Sequence, residues 1–130
     1  MKRVLLVEDN PANRKLICDH LRRVGLEVRA VETADKGIAL ALVESFDLVV
    51  MDIQLPGTDG LTATRILRAN PATTRIPILA VTAHVMRGDE QRILAAGCDA
   101  YVAKPIAYKE FLATVTRLMA TTPQAGERKP

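Results

Sequence analysis

The sequence predicts a single α/β domain built as a doubly wound, five-stranded parallel sheet. Three observations predict it. Short aliphatic runs alternate five times with longer amphipathic stretches, without a linker or an internal repeat, and this is the pattern of strands joined by crossover helices. Residues 4–7 (Val-Leu-Leu-Val) and 48–51 (Leu-Val-Val-Met) are continuously apolar, as strands covered on both faces must be. Residues 27–31 instead alternate in polarity, which suits an edge.

Taken in order, residues 4–7 form the first strand, after which Asn10 caps a helix with Pro11 at its first position. Ile17, His20, Leu21 and Val24 fall at helical spacing, and Gly25 ends that helix. The edge strand at 27–31 follows, and then Thr33 caps a second helix carrying Ile38, Ala41 and Leu42. After the strand at 48–51, Leu55-Pro56-Gly57-Thr58-Asp59-Gly60 is dense in turn formers and reads as a loop. A third helix runs through Ala63, Ile66 and Leu67 and ends near Asn70-Pro71. Residues 78–82 are a strand with Pro77 at its entrance. A fourth helix carries Met86, Ile93 and Ala96 and ends at Gly97. Residues 100–103 are a short strand, and Phe111, Leu112, Val115, Leu118 and Met119 stripe the last helix. The domain therefore spans residues 1–120, and residues 121–130, with two prolines and no stripe, form a flexible C-terminal tail. With the alternating strand at an edge and the first and third strands central, the order is 2-1-3-4-5. This is the flavodoxin-like arrangement, whose site lies beyond the carboxyl ends of the strands, at the switch between strands one and three.

Composition narrows the function classes. A chain of 130 residues with 48% hydrophobic residues buries a real core. No apolar run approaches the roughly 20 residues of a membrane span, and residues 4–7 are too short for a signal-peptide core, so a cytoplasmic location is expected. Cys18 and Cys98 fit no metal-ligand spacing and read as small buried or half-buried residues. The net charge of +3 is dispersed, and aromatics are only 3%, which argues against direct nucleic-acid binding.

The predicted topology gathers five polar strand-end residues on one edge. Glu8 and Asp9 follow strand one, Asp52 follows strand three, Thr82 ends strand four and Lys104 ends strand five. Singly, each is ordinary: an aspartate after a strand is commonly a turn or cap, and adjacent acids are commonly just solvated. Together they are not, because three close carboxylates repel and call for a cation among them. Hard oxygen ligands with room for water suit Mg²⁺. A carboxylate, a divalent cation, a hydroxyl and an ammonium can together move a phosphoryl group: Asp52 attacks phosphorus, the cation and Lys104 neutralise its oxygens, and Thr82 donates to one of them. A cis bond between Lys104 and Pro105 would set the lysine's direction.

The same residues resemble a known family. Val7-Glu8-Asp9-Asn10, Val50-Met51-Asp52-Ile53-Gln54-Leu55-Pro56, Asp59-Gly60, Ala80-Val81-Thr82-Ala83 and Tyr101-Val102-Ala103-Lys104-Pro105-Ile106 resemble the receiver domains of two-component response regulators, in the right order across about residues 2–120. Met86-Arg87-Gly88-Asp89-Glu90 with Gly97-Cys98 looks like the single-domain cell-cycle receivers of the DivK type, and also like receivers at the ends of hybrid sensor kinases. The resemblance implies Asp52 as phospho-acceptor, and Mg²⁺ held by Asp9, Asp52 and the backbone carbonyl of Gln54, with Glu8 acting through water. It implies Thr82 and Lys104 as readers of the phosphoryl group, and a histidine kinase or histidine phosphotransfer protein as donor. Thr82 and Tyr101 would form the switch that reshapes the face of helix four, strand five and helix five for a downstream protein partner. Gln54 and His84 would tune dephosphorylation, although a solvated loop position is the blander account of His84. One departure is that Ala107-Tyr108-Lys109 lacks a Ser or Asp cap, which puts the start and rigidity of the last helix in question.

Two other functions fit less well. A phosphatase using an aspartate nucleophile needs a second aspartate as general acid two residues on, where this chain has Gln54. A flavin carrier needs a Ser/Thr/Gly-rich phosphate loop after strand one, where this chain has Glu8-Asp9. The expectation is a signalling protein rather than an enzyme with turnover, stand-alone rather than cut from a longer regulator. It would be a monomer or a weak dimer promoted by phosphorylation.

Overall fold

The computed structural model describes residues 1–83 and 88–120. Five strands alternate with five helices: β1 (Arg3–Val7), α1 (Pro11–Arg23), β2 (Glu27–Val31), α2 (Ala34–Val43), β3 (Leu48–Asp52), α3 (Gly60–Ala69), β4 (Ile78–Thr82), α4 (Asp89–Ala96), β5 (Ala100–Ala103) and α5 (Tyr108–Ala120). The sheet is entirely parallel in the order β2-β1-β3-β4-β5, the order expected from the sequence. The expected tail and residues Met86 and His84 lie outside the described residues.

Strand periodicity divides the core into two layers. Leu5, Val7, Val49, Met51, Ile78 and Ala80 pack beneath α2, α3 and α4 with Ala41, Leu67 and Ile93. Val4, Leu6, Leu48, Val50, Leu79 and Val81 pack beneath α1 and α5 with Ile17, Leu21, Phe111 and Val115. All five residues of β3 and of β4 are buried, which is why those segments read as unbroken apolar runs. On β2 only Val28 is buried, as befits its edge position.

The expected caps form. The Asn10 side chain accepts from the Asn13 N–H at 3.0 Å, with Pro11 in the first turn, and the Thr33 hydroxyl accepts from Lys36 N–H at 3.2 Å. Some expected stripe positions differ. Val24, Leu42 and Ile66 are exposed, while Cys18, Gly37 and Thr64 take buried helix positions. Each helix covers only a narrow strip of sheet, so small residues suffice where it approaches closest. Gly37 is one such contact: a Cβ there would stand 2.7 Å from Val7 Cγ2.

The last helix begins at Tyr108 without the Ser or Asp that the sequence lacks. Phe111 N–H donates to the Ala107 carbonyl at 2.9 Å. The Tyr108 ring stacks on His20 of α1 with centroids 3.7 Å apart, and meets Phe111 edge-on at 5.9 Å. Tyr108 and His20 are thus a half-buried aromatic pair that ties α5 to α1.

Candidate functional site

The carboxyl ends of β1, β3, β4 and β5 converge on one crevice. Glu8 continues β1, its N–H donating to the Val31 carbonyl at 3.1 Å, so the chain stays on the ladder until the acids have been delivered. Glu8 and Asp52 are almost wholly buried, 1% and 2% exposed, and Asp9 is the more accessible of the three acids. One carboxylate oxygen from each lies within 4.8 Å of the others. Lys104, from the end of β5, reaches between them: its Nζ stands 3.2 Å from Asp52 Oδ2, to which it donates, and 3.0 Å from Glu8 Oε1. The cation demanded by three crowded acids is supplied in part by the chain itself. The Lys104–Pro105 bond is cis.

Backbone donors complete the carboxylates unevenly. Gln54 N–H donates to Asp52 Oδ1 at 2.9 Å, and Asn10 N–H donates to Glu8 Oε2 at 3.1 Å. Glu8 Oε1 is buried and lacks a hydrogen-bond donor among the described residues; its contact with Lys104 is an ion pair without hydrogen-bond alignment. A buried anionic oxygen left in this state is costly, and it suits the donor set of a hard cation or of water bound to one.

Electrostatics follow from this crowding. Burial raises the Glu8 carboxyl to about 6, with the Asp52 charge adding to it, against the opposing pull of the Asn10 N–H and Lys104. For Lys104, burial works against the ammonium, but Glu8 and Asp52 outweigh it and its pKa is raised. The lysine is therefore charged at neutral pH.

Thr82 ends β4, buried, with its carbonyl accepting from Lys104 N–H at 2.8 Å. By alternation it lies on the same side of the sheet as Ala80. Ala80 is in register with Tyr101, whose half-buried ring packs against the α2–α4 layer. Thr82 and Tyr101 thus share the layer that contains α4. The structure brings Glu8, Asp9, Asp52 and Lys104 together and sets Gln54 and Thr82 on the same edge. His84 lies outside the described residues.

Three further contacts shape the site. Arg14, on the first turn of α1, donates to the Glu8 and Asp9 carbonyls at 3.0 and 3.3 Å and fixes the loop that carries them. Gly60 lets α3 begin against β3: a Cβ there would fall 2.2 Å from the Asp52 carbonyl oxygen. The side-chain amide oxygen of Gln54 accepts from Ala83 N–H at 3.0 Å and joins the loops after β3 and β4.

Fold and site together define a class: a flavodoxin-like domain whose switch-point crevice is acidic and bridged by a lysine, where a nucleotide carrier would offer a phosphate-binding loop. The chain belongs to the response regulator receiver domain family, whose model matches residues 4–116. Proteins of this family act in two-component signalling. Over 114 residues the chain is 41% identical to the polar-differentiation response regulator DivK of Brucella ovis, covering 88% of this chain and 93% of that protein. The DivK of Brucella anthropi matches to the same extent. Among solved structures, the receiver domain of the sensor histidine kinase PA1611 from Pseudomonas aeruginosa superposes with a TM-score of 0.85 at 37% identity, covering 92% of this chain and 98% of that one. That structure has a magnesium ion coordinated in its active-site cleft. The chemotaxis protein CheY4 of Vibrio cholerae gives a TM-score of 0.86 at 25% identity, over 91% of this chain and 98% of that one.

Proposed function

We propose that Asp52 accepts a phosphoryl group from a phosphohistidine on a histidine kinase or histidine phosphotransfer protein, and that the resulting acyl phosphate alters binding of a downstream protein to the face made by α4, β5 and α5. The observation that carries this reading is the Lys104 ammonium bridging Asp52 and Glu8 inside a cluster of three carboxylates.

An anionic acceptor and an anionic donor repel, so the site has to be neutralised before they meet. Asp9, Asp52 and the backbone carbonyl of Gln54 are the residues that would hold Mg²⁺, with Glu8 acting through water; the buried Glu8 Oε1, which has no hydrogen-bond donor among the described residues, fits that role. Bound there, the cation supplies positive charge to the phosphoryl oxygens. A carboxylate oxygen of Asp52 attacks phosphorus as the P–N bond breaks, and the bonding pair leaves with the donor imidazole. Lys104 shifts from sharing two carboxylates to holding a phosphoryl oxygen, and the Thr82 hydroxyl donates to another. Gln54, where a hydrolase of this mechanism needs an aspartate, makes the product persistent and favours a switch over turnover. No helix among the described residues is long and apolar enough to cross a membrane.

The switch would run through Thr82 and Tyr101, which share a layer with α4. A shift of Thr82 toward the phosphoryl group leaves room beside Ala80 for the Tyr101 ring to turn inward. The phosphoryl group biases the two arrangements only by its differential contacts with them. Phosphotransfer from each candidate phosphohistidine donor, run with Mg²⁺ and with a chelator, tests the proposal. Rapid transfer from one donor, abolished by the chelator, is expected; transfer indifferent to the chelator would contradict the role given to the acidic cluster.

A further inference from the structure

We infer that the Gln54 side chain is a latch that occupies the Ala83 N–H while Asp52 is unmodified, so that phosphorylation has to displace it. This rests on the acceptor role proposed for Asp52, and it adds a positioning residue that acts through the backbone of the loop after β4.

The argument starts from the ladder between β3 and β4. Val49 N–H donates to the Pro77 carbonyl and Ile53 N–H to the Val81 carbonyl, both at 2.9 Å, with Asp52 in register with Val81. In a parallel ladder of this register, the next rung runs from Ala83 N–H to the Ile53 carbonyl. That rung is not made among the described residues; the Ile53 carbonyl accepts instead from Gly60 N–H at 3.1 Å, where α3 begins. The diversion is possible because Gly60 has no Cβ to strike the Asp52 carbonyl. The freed Ala83 N–H is taken instead by Gln54 Oε1 at 3.0 Å. The donor is therefore the first N–H beyond the end of β4, next to Thr82, on the edge where a phosphoryl oxygen on Asp52 would seek donors. A donor can serve the glutamine or the phosphoryl oxygen fully, but not both.

A latch also needs somewhere to go when released. Gln54 is exposed, and it borders a cleft of about 370 Å³ lined by Ile53, Asp59, Leu61, Arg65 and Arg92. Both arginines are exposed. The Arg92 guanidinium pairs with Asp89 at the long distance of 3.7 Å. Their guanidinium groups offer donors to the displaced amide oxygen, so the side chain has two satisfied positions, one across the loop and one in the cleft. Releasing Ala83 frees the end of β4 at the residue after Thr82. The latch thereby couples the phosphoryl site to the same loop that the switch requires.

The test compares wild type with Gln54→Met, which keeps length but has no acceptor, and with Gln54→Glu, which keeps an oxygen at the same reach. In the unmodified protein, solvent exchange of the Ala83 amide is measured by NMR. Loss of one hydrogen bond predicts exchange about fivefold faster in Gln54→Met, with slow exchange kept in Gln54→Glu. Binding of beryllofluoride with Mg²⁺, a phosphoryl mimic, is then expected to tighten about fivefold in Gln54→Met, because no latch has to be broken. Unchanged Ala83 exchange in Gln54→Met would overturn the latch. Faster exchange without tighter beryllofluoride binding would overturn its opposition to the phosphoryl group. Failure of wild type to bind beryllofluoride would count against the acceptor reading of Asp52, while the exchange measurement would still judge the latch.

Discussion

Replacing Lys104 with methionine removes the cationic side chain that Glu8 and Asp52 share and leaves the packing volume nearly unchanged. The two carboxylates are 1% and 3% exposed in their side chains, whereas the lysine is 20% exposed. Removing one partner of a buried ion pair typically costs about 3–5 kcal/mol, because the remaining charge is left uncompensated in a poorly solvated place. The partial exposure of Lys104 admits water to its end of the pair, and Asp52 and Glu8 keep their backbone N–H donors, so a loss of about 2–3 kcal/mol is expected here. The backbone bond from Lys104 N–H to the Thr82 carbonyl survives the substitution, which confines the effect to the ammonium. Urea denaturation in a chelating buffer at pH 7.5 measures it. With a slope of about 2 kcal/mol/M, the midpoint falls by roughly 1–1.5 M. Added Mg²⁺ should restore more stability to the variant than to wild type, because it then neutralises carboxylates that have lost their lysine. A midpoint within about 0.2 M of wild type, well inside the error of a typical slope, would refute the claim that Lys104 offsets the crowding of these acids.

Three other substitutions probe separate links. Gly60→Ala puts a Cβ 2.2 Å from the Asp52 carbonyl oxygen and 2.7 Å from Ile53 Cα, both backbone atoms, so it should cost about 3 kcal/mol in thermal denaturation and lower phosphoryl acceptance. A stable, fully active variant would mean that α3 approaches β3 less closely than described. Tyr101→Ala should accept phosphoryl label at the wild-type rate but bind its downstream partner more weakly, measured by calorimetry on the beryllofluoride complex; equal binding removes Tyr101 from the switch. Glu44 accepts hydrogen bonds from Arg3 and Arg29, and the Arg3 guanidinium holds its carboxyl below the usual range. A lowered carboxylate pKa stabilises the fold above the unfolded value of about 4.5, and that contribution is lost as pH falls through the folded value. The stability gap between wild type and Glu44→Gln should therefore be full at pH 6 and close progressively as the pH falls below about 4.5. A gap independent of pH would show that the ion pairs contribute nothing.

Strand order was legible because burial on two faces and burial on one leave different patterns. The runs at 4–7 and 48–51 lie at the centre of the sheet, and the alternating 27–31 lies at its edge. The acidic residues and Lys104 were legible for a related reason: each follows a recognisable strand, and parallel strands deliver their ends to one side. Side-chain environment on the helices was less so. Ile66 matches helical spacing yet is exposed, while Thr64 is buried with its hydroxyl bonded to the Gly60 carbonyl at 2.8 Å. Hydrophobicity does not say which small residue sits at the closest approach. The His20–Tyr108 stack joins residues 88 positions apart, so no local pattern announces it. The Gln54–Ala83 bond joins the loops after β3 and β4 where the ladder has ended, a consequence of three-dimensional register.

The central claim is that Asp52 carries the phosphoryl group, and label transfer to Asp52→Asn tests it most directly. Wild type and variant are incubated with a cognate phosphohistidine donor labelled on phosphorus, in Mg²⁺, and the label on each is followed over time. The asparagine amide keeps the size of the side chain but is not a competent nucleophile, so wild type should gain alkali-labile label and the variant none. Label retained on Asp52→Asn at the wild-type rate would contradict the account and move the acceptor elsewhere in the chain.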